Sequence, residues 1–110
     1  MSYIPGRGDV VWLMFDPQAG HEQAGHRPGL VISPKAFNAK TGLSLICPIT
    51  SQVKQNAFEV VIPSGLSVKG AVLADQIKSL DWRARKADYI CTLSPEITDD
   101  VIAKITPLLE

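Results

Sequence analysis

The apolar residues of this sequence come in short runs, each about one β-strand long and most of them closed by glycine, proline or aspartate. The first, 10–15, is opened by Gly8 and Asp9 and closed by Asp16 and Pro17. Further runs lie at 30–33, 43–49, 58–62, 70–73, 76–80 and 89–92, and Pro34 and the Pro63, Ser64, Gly65 triplet stop two of them. Runs of this length, bounded by turn formers, read as strands. Only the C-terminus changes period. Ser94 can cap a helix, Pro95 suits its first position, and Glu96 suits the positive end of the helix dipole. Ile97, Val101, Ile105 and Leu108 then recur at helical spacing on one face, and Pro107 closes the segment. The stretch 37–42 carries a turn ending in Gly42, which one helical turn from Pro34 can precede. Together these signals predict a mainly β fold: a small, strongly bent antiparallel SH3-like barrel of about five to seven strands with a C-terminal α-helix.

The chain has 110 residues, which fits a single domain spanning 1–110. Apolar residues make up 45% but aromatics only 6%, so aliphatic side chains must do most of the packing. No apolar run approaches the ~20 residues of a membrane span. The first residues lack the apolar core of a secretory signal, so a cytoplasmic protein with no membrane partner is expected. In that compartment Cys47 and Cys91, each inside an apolar run, are expected as buried, reduced thiols. No Cys-x-x-Cys or His-x-x-His spacing supports a metal, and no cofactor motif is present.

Formal net charge is +0, which excludes bulk, sequence-blind coating of nucleic acid. The distribution is uneven, however. No acidic residue lies between Glu22 and Glu59, where Arg27, Lys35, Lys40 and Lys54 fall, and the tail from Leu93 onward is acidic. One face of a neutral molecule can therefore be locally basic.

Reactive groups concentrate in the loop expected at 17–28. His21, Glu22, Gln23, His26 and Arg27 crowd between Gly20 and Pro28. Long loops in small domains are often functional. Pro28 biases Arg27 towards an extended backbone, which would set its guanidinium at a strand start as a fork for phosphate. Pairing with Glu22 in a structural ion pair is the competing reading. Either histidine could act as a general acid or base near neutral pH, or be a plain loop residue. A second cluster, Thr50, Ser51 and Gln52, offers two hydroxyls and an amide at a strand end. These could meet a phosphate or base edge, or serve a turn that satisfies its own backbone. Asp75 and Gln76 form a third cluster, with strand alternation sending Asp75 to one face and Gln76 and Lys78 to the other. Trp82, Arg83, Arg85 and Lys86 make a small basic patch with one aromatic, although Trp82 is equally suited to the core.

Taken in order, these segments resemble the MazF/Kid (PemK-like) toxin family, and its MazF branch most closely. The likeness rests on Gly8 to Trp12, Phe15 to Pro17, Gly20 to Pro28, Asn38 to Gly42, Pro48 to Gln52, Phe58 to Val60, and Leu73 to Leu80 leading into Trp82 to Arg85. The resemblance implies a toxin of a type II toxin–antitoxin system. It implies a homodimer that cleaves single-stranded RNA without a metal or cofactor, and an antitoxin whose partly disordered acidic C-terminal segment covers the RNA site. Cleavage by attack of the ribose 2′-hydroxyl would leave 2′,3′-cyclic phosphate and 5′-hydroxyl ends. Carried onto this chain, the resemblance makes Arg27, Thr50 and Glu22 catalytic, with Glu22 the candidate base. His21, His26, Ser51, Gln52, Lys54, Asp75 and Gln76 would contact RNA. One departure stands out: the Kid branch has a catalytic arginine where this chain has Leu73, so Arg27 must supply the cation. A non-catalytic regulator or a gyrase-directed toxin on the same barrel is the alternative. A peptide-binding SH3-like module would need an aromatic groove that Trp12, Trp82 and two scattered tyrosines do not supply.

Overall fold

Strand β1 (Asp9–Met14) buries Val10 on one face and Val11 and Leu13 on the other, which explains why its sequence is nearly continuous in apolar residues. The computed structural model describes residues 3–16, 20 and 25–110. After β1 come β2 (His26–Val31), α1 (Lys35–Thr41), β3 (Leu43–Thr50), β4 (Glu59–Val61), β5 (Ala71–Leu73), β6 (Lys78–Asp81), β7 (Asp88–Thr92) and α2 (Pro95–Ile105). Short 3-10 turns occupy Ala74–Gln76 and Thr106–Leu109.

All pairings are antiparallel, in the order β4-β5-β3-β2-β1-β7, with β6 also on β3. Strand β3 is the spine. Its first half pairs with β6, from Leu43↔Asp81 to Ile46↔Lys78, and its last two residues pair with β5. Its ladder with β2 ends at Gly29↔Pro48. Pro48 has no N–H to extend a ladder. The chain therefore forks there, and Ile49 and Thr50 go on alone to β5.

The predicted class holds, with one difference: among the described residues the sheet does not close, because β4 and β7 end it unpaired with each other. Strands β4 and β5 have three residues each, which gives little ladder with which to complete a barrel. Helix α2 covers the opening instead. Its Val101 and Ile105 join Val10, Leu30, Cys47, Ile49, Val60 and Val72 in the larger core cluster. The smaller cluster, on the opposite face, is Val11, Leu13, Phe15, Val31, Ile46 and Leu80.

The Ser94 cap forms as expected, its side chain accepting from Ile97 N at 3.4 Å. Leu108 does not join the helix face. The α-helix stops at Ile105, and Leu108 lies in the following turn, 47% exposed. Buried Thr98 takes a core-facing place, its hydroxyl bonded to Ser94 O at 3.2 Å. The stretch 34–42 is a true helix, α1, ended by Gly42 in the left-handed region with φ 75°. Asn38, fully buried, fixes it: Nδ2 donates to Pro5 O at 2.8 Å and Ser33 O at 3.1 Å, and Oδ1 accepts from Ser33 Oγ at 2.6 Å. Strand β2 begins at His26, so the connection before it is shorter than expected.

Candidate nucleic-acid interface

The fork at Pro48 organises the site. The β2–β3 ladder ends at Gly29↔Pro48, so Arg27 on β2 and Thr50 on β3 each lie two residues past its last pair. Two of the three residues that the resemblance makes catalytic thus stand on adjoining strands just past the point where those strands part.

Two depressions flank the end of β3. Arg27, Ser51, Lys69, His26 and Trp12 line one of about 350 Å³. The β1–β2 register pairs Trp12 with Pro28 and Met14 with His26, so alternation brings Trp12 and His26 to one face. Their rings meet edge-on, centroids 4.7 Å apart. The indole is 40% exposed and sits beside two cations, an arrangement suited to stacking a base next to its phosphate. The second depression, about 200 Å³, is lined by Thr50, Gln52, Lys54, Asn56, Glu59, Leu73 and Gln76. Its lining of amides, a hydroxyl and one ammonium can meet base edges and a phosphate oxygen.

Thr50 and Ser51 therefore divide between the two sides, as consecutive residues of an extended chain must. Thr50 is buried, and its hydroxyl accepts from Gln52 N at 3.1 Å. The turn reading for this cluster is thus correct, and it still leaves the hydroxyl proton and a lone pair for a ligand. The Thr50 carbonyl is approached by Gly70, at φ +114°, so closely that a Cβ there would overlap it.

Of the residues singled out from the sequence, His26, Arg27 and Ser51 share the first depression, and Thr50, Gln52, Lys54 and Gln76 the second. Asp75 is exposed in the 3-10 turn and lines neither, and that turn replaces the strand alternation expected for Asp75 and Gln76. His21 and Glu22 lie outside the described residues. The expected basic patch is largely committed to structure. Trp82 is buried with Nε1 donating to Asn38 O at 2.9 Å, and Arg83 stacks over the indole, 4.7 Å from the ring centroid. Arg85 donates to Met14 O at 2.8 Å and Asp16 O at 2.6 Å. Asp16 in turn receives Gly25 N at 2.9 Å, so Arg85 braces the residues that lead into β2.

Trp12, Lys69 and Glu59 were not singled out as site residues from the sequence. Trp12 looked like one more core residue of an apolar run, and only the face it occupies sets it apart. Lys69 gave no signal beyond standing next to Gly70.

No helix among the described residues is long and apolar enough to cross a membrane. Residues 6–109 match the family described as PemK-like, MazF-like toxin of type II toxin–antitoxin system. The chain is 50% identical over 107 residues to the endoribonuclease toxin MazF of Escherichia coli strain K12, covering 97% of this chain and 96% of that protein. It matches the crystal structure of MazF from Deinococcus radiodurans with a TM-score of 0.95 at 49% identity, covering 98% of each chain. A MazE–MazF crystal structure from the same organism matches with a TM-score of 0.87 at 42% identity, covering 98% of this chain and 97% of that one. A family match over nearly the whole length, on the same antiparallel sheet with a C-terminal helix, leaves one conclusion: this chain belongs to the PemK-like, MazF-like toxins of type II toxin–antitoxin systems.

Proposed function

We propose that this chain, acting as one domain over 1–110, is a cytoplasmic endoribonuclease that cuts single-stranded RNA without a metal or cofactor. It works as a homodimer and is neutralised by an antitoxin whose acidic, partly disordered C-terminal segment occupies the same surface. The observation that carries the reading is the fork: a guanidinium and a buried threonine hydroxyl on neighbouring strand ends, flanked by two polar depressions. A relative named as an endoribonuclease at 50% identity adds to it.

In this reaction the ribose 2′-oxygen attacks the adjacent phosphorus, Glu22 takes the 2′-hydroxyl proton, and the P–O5′ bond breaks. The products are a 2′,3′-cyclic phosphate and a 5′-hydroxyl. Charge builds on the non-bridging oxygens at the pentacoordinate stage, where a bidentate guanidinium is worth most. Arg27 fills that role, and the Thr50 hydroxyl orients the phosphate. Direct proton donation by Arg27 to the leaving oxygen is uphill, since a guanidinium is a very weak acid. A proton from an imidazolium such as His21 or His26 reaches that oxygen more easily. Trp12, Ser51 and Lys69 on one side, and Gln52, Lys54 and Gln76 on the other, grip the strand; Asp75, exposed beside Gln76, makes a peripheral contact.

The test is cleavage of a long single-stranded transcript in EDTA, with chemical identification of both new ends. Wild type is expected to leave cyclic phosphate and 5′-hydroxyl. Arg27→Ala is expected to lose about 100- to 1000-fold in rate, the scale seen when one donor to a transition-state oxyanion is removed. An Arg27→Ala protein that cuts at the wild-type rate overturns the assignment.

A further inference from the structure

Residues 51–58 are all exposed, so apolar packing does not hold this loop in shape. It is instead wrapped around one carboxylate. Glu59, the first residue of β4, is only 8% exposed. Its Oε1 accepts from Gln55 N at 2.7 Å and Lys54 N at 3.0 Å, and its Oε2 accepts from Lys54 N and Asn56 Nδ2, both at 3.3 Å. Asn56 completes the turn by accepting Phe58 N on Oδ1 at 2.9 Å and Glu59 N on its carbonyl at 3.2 Å. Successive N–H groups converging on an anion form a nest. The nest explains a second oddity: Gln55 has φ +58°, rare for a residue with a side chain, and this conformation directs its N–H to the carboxylate. Lys104 of α2 holds the outer side of the loop, its Nζ donating to Ala57 O at 2.7 Å.

The loop carries Gln52 and Lys54 into the depression that also holds Thr50 and Gln76. We propose that Glu59 is the positioning residue of this half of the site: its carboxylate fixes the 52–56 loop so that Lys54 and Gln52 face the RNA strand beside Thr50. The inference rests on the endoribonuclease reading above. Glu59 also borders the depression, so a general-base role is the rival. Geometry favours positioning, because both carboxylate oxygens are already engaged by loop donors.

Glu59→Gln separates the two roles. A base replaced by an amide loses its chemistry, whereas a positioning residue keeps one carbonyl oxygen for the Lys54 and Gln55 N–H groups. Wild type, Glu59→Gln and Glu59→Ala would be compared on a fluorogenic single-stranded oligoribonucleotide spanning a site mapped with the wild-type enzyme. Thermal unfolding and amide exchange at Lys54 and Gln55 would be read on the free proteins. Glu59→Ala is expected to lose exchange protection at both amides. It should also lose up to about 100-fold in kcat/KM, mostly through KM, as expected when binding groups drift by an ångström or so. Glu59→Gln is expected to recover most of both losses. A Glu59→Gln protein that is folded, protected and inactive makes Glu59 the base and overturns positioning. Unchanged protection and KM in Glu59→Ala overturn it as well. A wild-type protein that cuts no RNA removes the function reading and the substrate half of this inference, while amide exchange still decides whether Glu59 anchors the loop.

Discussion

Replacing Gly70 with alanine places a methyl group against the backbone of the candidate site. At Gly70 a Cβ would overlap Thr50 O, stand 2.8 Å from Thr50 C, and lie 3.2 Å from Ser51 Cα. These are backbone atoms that no rotamer change can move aside. The backbone also sits at φ +114°, which costs a side-chain-bearing residue about 1–3 kcal/mol. Relieving the overlap by shifting strands adds about 1–3 kcal/mol, the usual range for overpacking. Gly65 separates these two contributions, because it has φ +91° with nothing within 4 Å. Gly65→Ala therefore carries conformational strain alone, partly offset by the ~0.4–1 kcal/mol that alanine gains through a less disordered unfolded chain. For a domain of this size each kcal/mol moves Tm by about 4 °C. Gly70→Ala is thus expected to melt about 8 °C below Gly65→Ala, taking about 2 kcal/mol as the excess. Circular dichroism melts read the difference. RNA cleavage well below either Tm gives a second readout, where a displaced Thr50 should cost Gly70→Ala about 100-fold and leave Gly65→Ala near wild type. Equal melting temperatures for the two variants would refute the close approach, and wild-type cleavage by Gly70→Ala would refute its connection to the site.

Two further outcomes follow from buried polar atoms. Asn38→Ala removes the donor to the Pro5 and Ser33 carbonyls in the interior; at about 1–3 kcal/mol for each unsatisfied group, thermal unfolding should show a loss near 3 kcal/mol, with cleavage retained below Tm. Burial pushes the Cys47 thiol up to about 12 from an ordinary 9.0. The native state then keeps a proton that the unfolded chain releases, so this contribution to stability is complete below pH 9 and is lost as pH rises towards 12. Cys47→Val should flatten the fall of Tm across that window, and iodoacetamide should label Cys47 only after unfolding; rapid labelling of the native protein would contradict its burial.

Much of the secondary structure is local, and that part was legible. Strands β1, β4 and β6 end at or within two residues of Asp16, Pro63 and Asp81, whereas β2 and β3 run through Pro28 and Pro48; the Ser94 cap with its following proline marks the start of α2. Arg27, Thr50, Gln52 and Gln76 could likewise be picked out as candidates, because reactive side chains gathered in short polar stretches stand out against an aliphatic background; Lys54 came from the resemblance alone. Asn38 could not, since a buried asparagine in a helix reads the same as a surface one. Its partners, Pro5 and Trp82, are 33 and 44 residues away. The basic patch around Arg85 misled for a similar reason: the guanidinium meets carbonyls about 70 residues distant.

By itself the sequence determined most of the segments that extend, the start of the C-terminal helix, and which polar groups lie between them, because backbone preference and apolar spacing act over a few residues. Only the tertiary structure decided that β3 leaves β2 at Pro48, that Thr50 and Ser51 part to opposite sides of the chain, and that Lys69 and Trp12 join Arg27. It alone wrapped the 51–58 loop around Glu59. These outcomes depend on strand register and on hydrogen bonds that exist only after distant segments meet, and no local preference encodes them.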